Sequence, residues 1–434
     1  MGTERNTTNV TRTATPGETL AKGTFSARQG EGLKESHGFS KKTRPLKVLL
    51  IGHQFQVPTE GQAKAGALAK FPELEIKVLT PARYREGETR WRYPQPSLKT
   101  GYQFQVERVA LPWAGPAKWY LQWYPDLSRT LHSFQPDVID VWEEPWSLLS
   151  AQICWLRDRV VPAARIISET EQNVGRILPP PFEWFRSYTF RKADLLIGRN
   201  TEALQVARAK GYVGPASVVG NGVDTALFHP RDRQRCRLQF GVNGFAVGYV
   251  GRLVPEKGLQ DLLDAFDGLP AEAGLWICGD GPMRSQLEKA GPRVHLLRPV
   301  PREKLPELFN ALDILVLPSR TTSRWKEQFG RVIIEAGACG IPVVGSDSGA
   351  IPEVIGCPGL IFKEGDSEAL RALLESMRAN PSRAQQLGQE VQARVESLYC
   401  WEAIAQQMRE LYRGMFSSES TRLERKLASM QLGK

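Results

Sequence analysis

The sequence predicts an α/β protein in which two doubly wound parallel-sheet domains face each other across a cleft. Three observations carry this reading. Short uninterrupted apolar runs end in glycine or a polar turn, as strands covered by helices on both faces do. Stretches of helical periodicity separate them, which implies right-handed crossovers between parallel strands. The whole pattern then restarts after a polar break, and 434 residues exceed one ordinary core and suit two.

Taken in order, residues 1–45 are rich in Thr, Ser, Gly, Lys and Glu and poor in branched aliphatics, so they are expected to stay disordered. The first domain, 46–226, opens with the strand KVLLIG (47–52). It continues through EIKVLT (75–80), DVIDVW (137–142), ARIISET (164–170), DLLIGRN (194–200) and ASVVGNG (216–222), with a helix over 147–160. The polar stretch LFHPRDRQRCR places a linker at 227–243. The second domain, 244–398, repeats the scheme in AVGYVGR, GLWICGD, RVHLLRP, ILVLPS, PVVGSD and GLIF. A terminal helix over 399–416 sets Trp401, Ile404, Met408, Leu411 and Tyr412 on one apolar face, and 417–434 is a charged tail. Such folds bind ligands at the C-terminal ends of their strands, so a two-substrate cleft is expected.

Composition narrows the function classes. With 41% hydrophobic and 24% charged residues the chain is neither collagenous, coiled-coil nor wholly disordered. No apolar run is long enough to cross a bilayer and no secretory signal is evident, so a cytoplasmic protein is expected. The 6 cysteines form no C-x-x-C pair and the 5 histidines have no metal-ligand spacing. Of the formal charge of +10, most lies in the two tails, and neither zinc-finger spacing nor an RNA-binding aromatic motif supports a nucleic-acid partner.

Three segments carry candidate chemistry. After the first strand, Gly61 stands at the mouth of a helix, where free N–H groups favour an anionic phosphate. No complete G-x-G-x-x-G occurs, which argues against a nicotinamide dehydrogenase. In GRLVPEKG, Arg252 and Lys257 flank a turn before a helix and can stabilise the charge on a departing diphosphate. No D-x-D pair is present to carry a metal for that purpose, so no metal or other cofactor is expected. In EQFGRVIIEAGACGIPVV, Glu327 precedes a helix expected to start near Phe329 and Gly330, and Glu335 lies almost two turns inside it. One carboxylate can meet a sugar hydroxyl and the other a ribose diol; a buried Glu335 needs such a partner.

These elements resemble the retaining GT-B glycosyltransferases of family 4. GRLVPEKG, the E-x7-E element with its following ACGIPVVGSDSGAIPEVI, NGVDTALFHP, CGDGPMRSQLE and YCWEAIAQQMRELY carry the likeness, which extends over most of 46–416. The resemblance implies two Rossmann-like domains and a hexosyltransferase that retains configuration. It implies a UDP- or GDP-linked sugar donor on the second domain, a glycan or lipid-linked acceptor on the first, and a last helix that crosses back to the first domain. Arg252 and Lys257 would hold the diphosphate, Glu335 the ribose, and Glu327 with the amides at Phe329 and Gly330 the sugar. Gly61 would approach the diphosphate from across the cleft, and the loop through Arg298 and Val300 would lie near the base. The chain departs from the family in three places. Asp140, Glu143 and Glu144 stand where many members have a sugar-contacting histidine, Glu60 precedes Gly61 in place of a paired glycine, and Arg298 replaces a glycine.

On the acceptor side, Glu169, Asn173 and Glu143 are candidates for sugar or acceptor hydroxyls, and Glu171 and His53 share that rim. Eight tryptophans fall between 91 and 184, and aromatic faces suit both sugar rings and core packing. FEWFRSYTFRKAD (182–194) has the makeup of a basic amphipathic helix that can touch an anionic membrane. Two other readings stay open: a GT-B epimerase or phosphorylase, and a catalytically silent nucleotide-sugar-binding protein.

Overall fold

The computed structural model describes residues 44–86, 90–94, 101–110 and 119–416. The expected tails at 1–43 and 417–434, Trp113 and the Trp91 side chain lie outside the described residues. Arg44, the first of the described residues, already pairs with Asp137 through both guanidinium nitrogens.

Among the described residues the strands run in chain order as β1 (Leu46–Ile51), β2 (Leu74–Pro81), β3 (Tyr84–Glu86), β4 (Arg90–Arg92), β5 (Gln103–Glu107), β6 (Val138–Val141), β7 (Arg165–Thr170), β8 (Leu195–Gly198), β9 (Ala216–Val218), β10 (Ala246–Val250), β11 (Gly274–Cys278), β12 (Val294–Leu297), β13 (Ile314–Leu317), β14 (Val343–Ser346) and β15 (Ile361–Phe362). The first sheet has the order β5-β2-β1-β6-β7-β8-β9 and the second β12-β11-β10-β13-β14-β15, with every pair parallel. Strands β3 and β4 form a small antiparallel hairpin apart from both. In each sheet the winding reverses beside the first strand, between β1 and β6 and between β10 and β13. These reversals splay the following loops and open a crevice at the strand ends.

The apolar runs form strands because both faces are covered: Val48 to Ile51 and Ala246 to Tyr249 are all buried. The helix Leu148–Val160 begins at Ser147, whose hydroxyl accepts the Ser150 N–H as an N-cap.

Two segments differ from the sequence reading or refine it. Residues 227–243 are not a bare linker but part of the second domain. They contain the helix Arg233–Phe240, and Phe228, Cys236 and Val242 are buried in that domain's core. The misreading has a physical cause: Arg231, Arg233 and Arg237 look like solvated charge but are spent on Glu307 and Asp313. The last helix, Trp401–Gly414, packs Trp401, Ile404, Ala405, Met408 and Tyr412 into the first domain's core. At roughly 1.5–3 kcal/mol for each large apolar side chain, that burial ties this helix to the first domain. Among the described residues no helix is long and apolar enough to cross a membrane.

Candidate functional site

The C-terminal ends of both sheets meet at one cleft, which holds a pocket of about 430 Å³. His53, Trp119, Glu143 and Trp146 line it from the first domain, and Trp325 and Gln328 from the second. The loop that carries Glu327 is stitched across the cleft. Asn173 donates to the Glu327 carbonyl at 2.9 Å, Gln328 donates to the Glu171 carbonyl at 3.0 Å, and Asn200 donates to the Gln328 carbonyl. Lys326 pairs with Glu202 at 3.0 Å.

On the second domain, Lys257 ends a short helical turn after β10 and reaches Glu327, which also accepts from the Ser319 hydroxyl at 3.0 Å. The Lys257 ammonium lies 4.8 Å from the centre of the Trp325 ring. Arg252 is largely exposed at the cleft edge, 3.9 Å from Glu256. Glu335 is buried on the helix Arg331–Ala338 and pairs with Arg302 at 2.7 Å. Burial raises the Glu335 carboxyl above its ordinary value, against the pull of Arg302 and Arg331. The helix starts two residues after Phe329, because Gly330 takes a left-handed turn (φ 77°) that a side chain would resist. Phe329 is buried edge-on against Tyr399, and Val300 packs beside the second core beyond β12.

Glu60 reaches from the first domain to Arg331 and, at 3.8 Å, to Arg302. The family glycine that this position lacks is thus replaced by a charge that closes onto two arginines next to Glu335. Gly61 itself is required by packing: a Cβ there would lie 2.6 Å from the Phe55 Cα of the preceding turn.

Three acceptor-side candidates have other partners. Glu169 lines the pocket but is buried, with one oxygen on Lys64 at 2.6 Å and the other on Arg199. Asn173 serves as the interdomain bridge described above. Glu143 accepts from the His53 backbone N–H at 2.8 Å and lies 2.6 Å from its ring Nδ1, while its second oxygen is buried with no protein partner. A histidine therefore does reach the loop after β6, but it comes from the end of β1. Its ring lies 5.2 Å from that of Trp119. Beside it, burial pushes the half-buried Glu144 carboxyl up to about 7, although the Glu171 N–H and Thr170 hydroxyl both bond to it.

Burial pulls the His53 imidazole down, and Glu143 more than offsets this, so its pKa ends above the ordinary value. A raised histidine contributes stability that is complete below the ordinary imidazole pKa and is lost as pH rises through the folded-state value. Glu143→Gln is therefore expected to remove a mildly alkaline fall in melting temperature, read from thermal unfolding across pH 6 to 9. An unchanged profile would contradict the pairing.

Below the pocket lies a cluster that sequence reasoning missed. The Lys64 ammonium is enclosed with Asp140 at 2.9 Å and Glu169 at 2.6 Å, and burial pulls its pKa down to about 8. Asp140 also accepts the Tyr412 hydroxyl at 2.7 Å, fastening the terminal helix. Lys64 and Arg199 flank the Trp142 ring at 5.1 and 4.4 Å. The only local signal was a lysine amid small residues in AKAGALAK, a helix face with no room for solvent.

Comparison with known proteins agrees with this geometry. Residues 213–394 match the family model described as glycosyl transferases group 1. Alpha-maltose-1-phosphate synthase of Mycolicibacterium smegmatis is 32% identical over 45% of this chain and 56% of its own length. Sulfoquinovosyl transferase SQD2 of Arabidopsis thaliana is 32% identical over 66% of this chain and 58% of its own. The chain thus spans somewhat more than half the length of these relatives. HepE of Anabaena, solved with UDP, superposes with a TM-score of 0.63 at 21% identity, covering 85% of this chain and all of that one. The fold is that of the two-domain GT-B glycosyltransferases.

Proposed function

We propose that this protein is a retaining glycosyltransferase that moves a hexose or similar sugar from a nucleoside diphosphate to a glycan or lipid-linked acceptor, without a metal. The observation that carries the reading is the Lys257–Glu327 pair, in which Glu327 stands between Lys326 and Gln328 of the loop that walls the pocket. In the ligand-free cleft Lys257 is neutralised by Glu327. A bound donor's diphosphate would draw Lys257 and the exposed guanidinium of Arg252 toward its developing charge and release Glu327 toward the sugar. Glu335 would accept from the ribose in exchange for Arg302. The cross-cleft hydrogen bonds would hold acceptor and donor in one geometry and keep water out. The relatives named as a maltose-1-phosphate synthase and a sulfoquinovosyl transferase, and the neighbour solved with UDP, support a nucleotide-sugar donor.

The test is release of nucleoside diphosphate from UDP-, GDP- and ADP-sugars in wild type and Glu327→Ala. Slow hydrolysis of one donor, indifferent to EDTA and absent in the variant, is the expected result. Silence across the panel with no thermal stabilisation by UDP or GDP would overturn the reading. Silence with stabilisation would instead favour a catalytically silent binding protein.

Glu60 adds a related prediction. Its carboxylate competes with an incoming anion for Arg331 and Arg302, so Glu60→Gln is expected to bind UDP or GDP a few-fold more tightly by calorimetry. Equal affinity would show that the two arginines take no part in donor binding.

A further inference from the structure

The segment between the pocket and the helix Phe182–Lys192 has two faces of different chemistry. Val174, Arg176 and Leu178 line the pocket. Between them Ile177 points out and is 89% exposed, and Trp184 in the first turn of the helix is 69% exposed. Pro179, Pro180 and Pro181 are exposed as well. The Leu178 N–H donates to Glu183 at 2.7 Å, which folds the proline run back onto that first turn and groups these apolar surfaces.

Charge around the patch has one sign. Arg176, Arg191 and, across the cleft, Arg324 are exposed, while the segment's one carboxylate between residues 174 and 192, Glu183, is occupied by the Leu178 N–H and Arg186. A file of rings also runs from the pocket to the patch. Trp119 and Trp146 lie 5.3 Å apart, Tyr120 and Phe182 5.4 Å, and Phe182 and Phe185 6.1 Å.

We propose that this rim docks on an anionic lipid bilayer, with Ile177, the prolines and Trp184 entering the headgroup boundary, so that the pocket opens toward a saccharide anchored in that bilayer. The proposal rests on the glycosyl-transfer reading and narrows its acceptor to a lipid-linked sugar. A free glycan would be met by flat aromatic faces and hydrogen-bonding groups. An exposed isoleucine and three prolines offer neither, whereas an indole beside aliphatic and arginine side chains suits the interface of an anionic leaflet. The polar rings and carboxylates that suit sugar hydroxyls lie behind the rim, inside the pocket.

The experiment is co-sedimentation of the full chain with vesicles of phosphatidylglycerol and phosphatidylcholine in equal parts, for wild type and the double variant Ile177→Ser, Trp184→Ser. The expected result is binding that weakens with salt and falls roughly tenfold or more in the variant, given the transfer free energy of the two side chains. Tryptophan quenching by brominated lipid in the same vesicles is expected in wild type and reduced in Trp184→Phe. Absence of vesicle binding, or equal binding by the double variant, would overturn the proposal. Stabilisation by UDP or GDP in the same samples reports the donor site separately: its loss in wild type would sink the glycosyl-transfer reading, and its retention in the variant shows an intact fold.

Discussion

Replacing Lys257 with alanine is expected to lower turnover of the nucleotide sugar by about two to three orders of magnitude, the usual cost of deleting one preorganised charge partner of the transition state. The effect is electrostatic. The ammonium sits in a partly buried place beside Trp325, where a charge acts more strongly on its neighbours than it would in water. The substitution also leaves Glu327 without its cation, although the Ser319 hydroxyl remains. Melting temperature must therefore be measured beside kcat. Lys257→Arg keeps the charge and serves as the control, expected to fold as wild type and to recover part of the rate. Glu327→Ala should lose a comparable factor, and the double variant much less than the product of the two, because the pair acts as a unit. Turnover within threefold of wild type in Lys257→Ala would place the chemistry elsewhere in the cleft.

The second large effect is on stability. Lys64→Ala leaves Asp140 and Glu169 buried and facing one another, with only Arg199 and Tyr412 to answer them. Breaking a buried charge network from one side costs roughly 3–5 kcal/mol, a large part of the 5–15 kcal/mol that holds a typical domain. For the first domain this corresponds to a fall in melting temperature of roughly 10 °C. Adding Asp140→Asn to Lys64→Ala removes one stranded charge and is expected to restore part of the loss. A fall below two degrees would mean that water reaches the cluster and screens it. Because Asp140 also holds Tyr412, the terminal helix should loosen in the same variant, seen as faster amide exchange over 401–414.

These two cases show what can be read from a chain and what cannot. Lys257 and Glu327 lie in short contiguous segments, each at the end of a strand and the start of a helix, so their types and spacings announce an anionic ligand and a polar one. Lys64, Asp140, Glu169 and Arg199 come from four separate segments, and nothing local to any of them indicates that they meet. Glu169 reads as a cleft contact because it stands near the end of a strand, and it does line the pocket, but its pairing with Lys64 and Arg199 has no local sign. His53 was legible as a rim residue, while its pairing with Glu143 depends on β1 and β6 being neighbours in the sheet. The segment 227–243 misled because arginine counts as polar wherever it stands, and only tertiary contacts with Glu307 and Asp313 make it part of a core.

By itself the sequence determined the parallel-sheet class and its division into two domains, because strand burial and helix periodicity are written in neighbouring residues. The tertiary structure alone decided the long-range partners: Asn173 on the Glu327 carbonyl and Glu60 on Arg331 across the cleft, and Lys64 between two carboxylates inside the first domain. Those contacts join residues dozens to hundreds of positions apart. Their pairing follows from strand order and domain closure, which no local pattern of residues encodes.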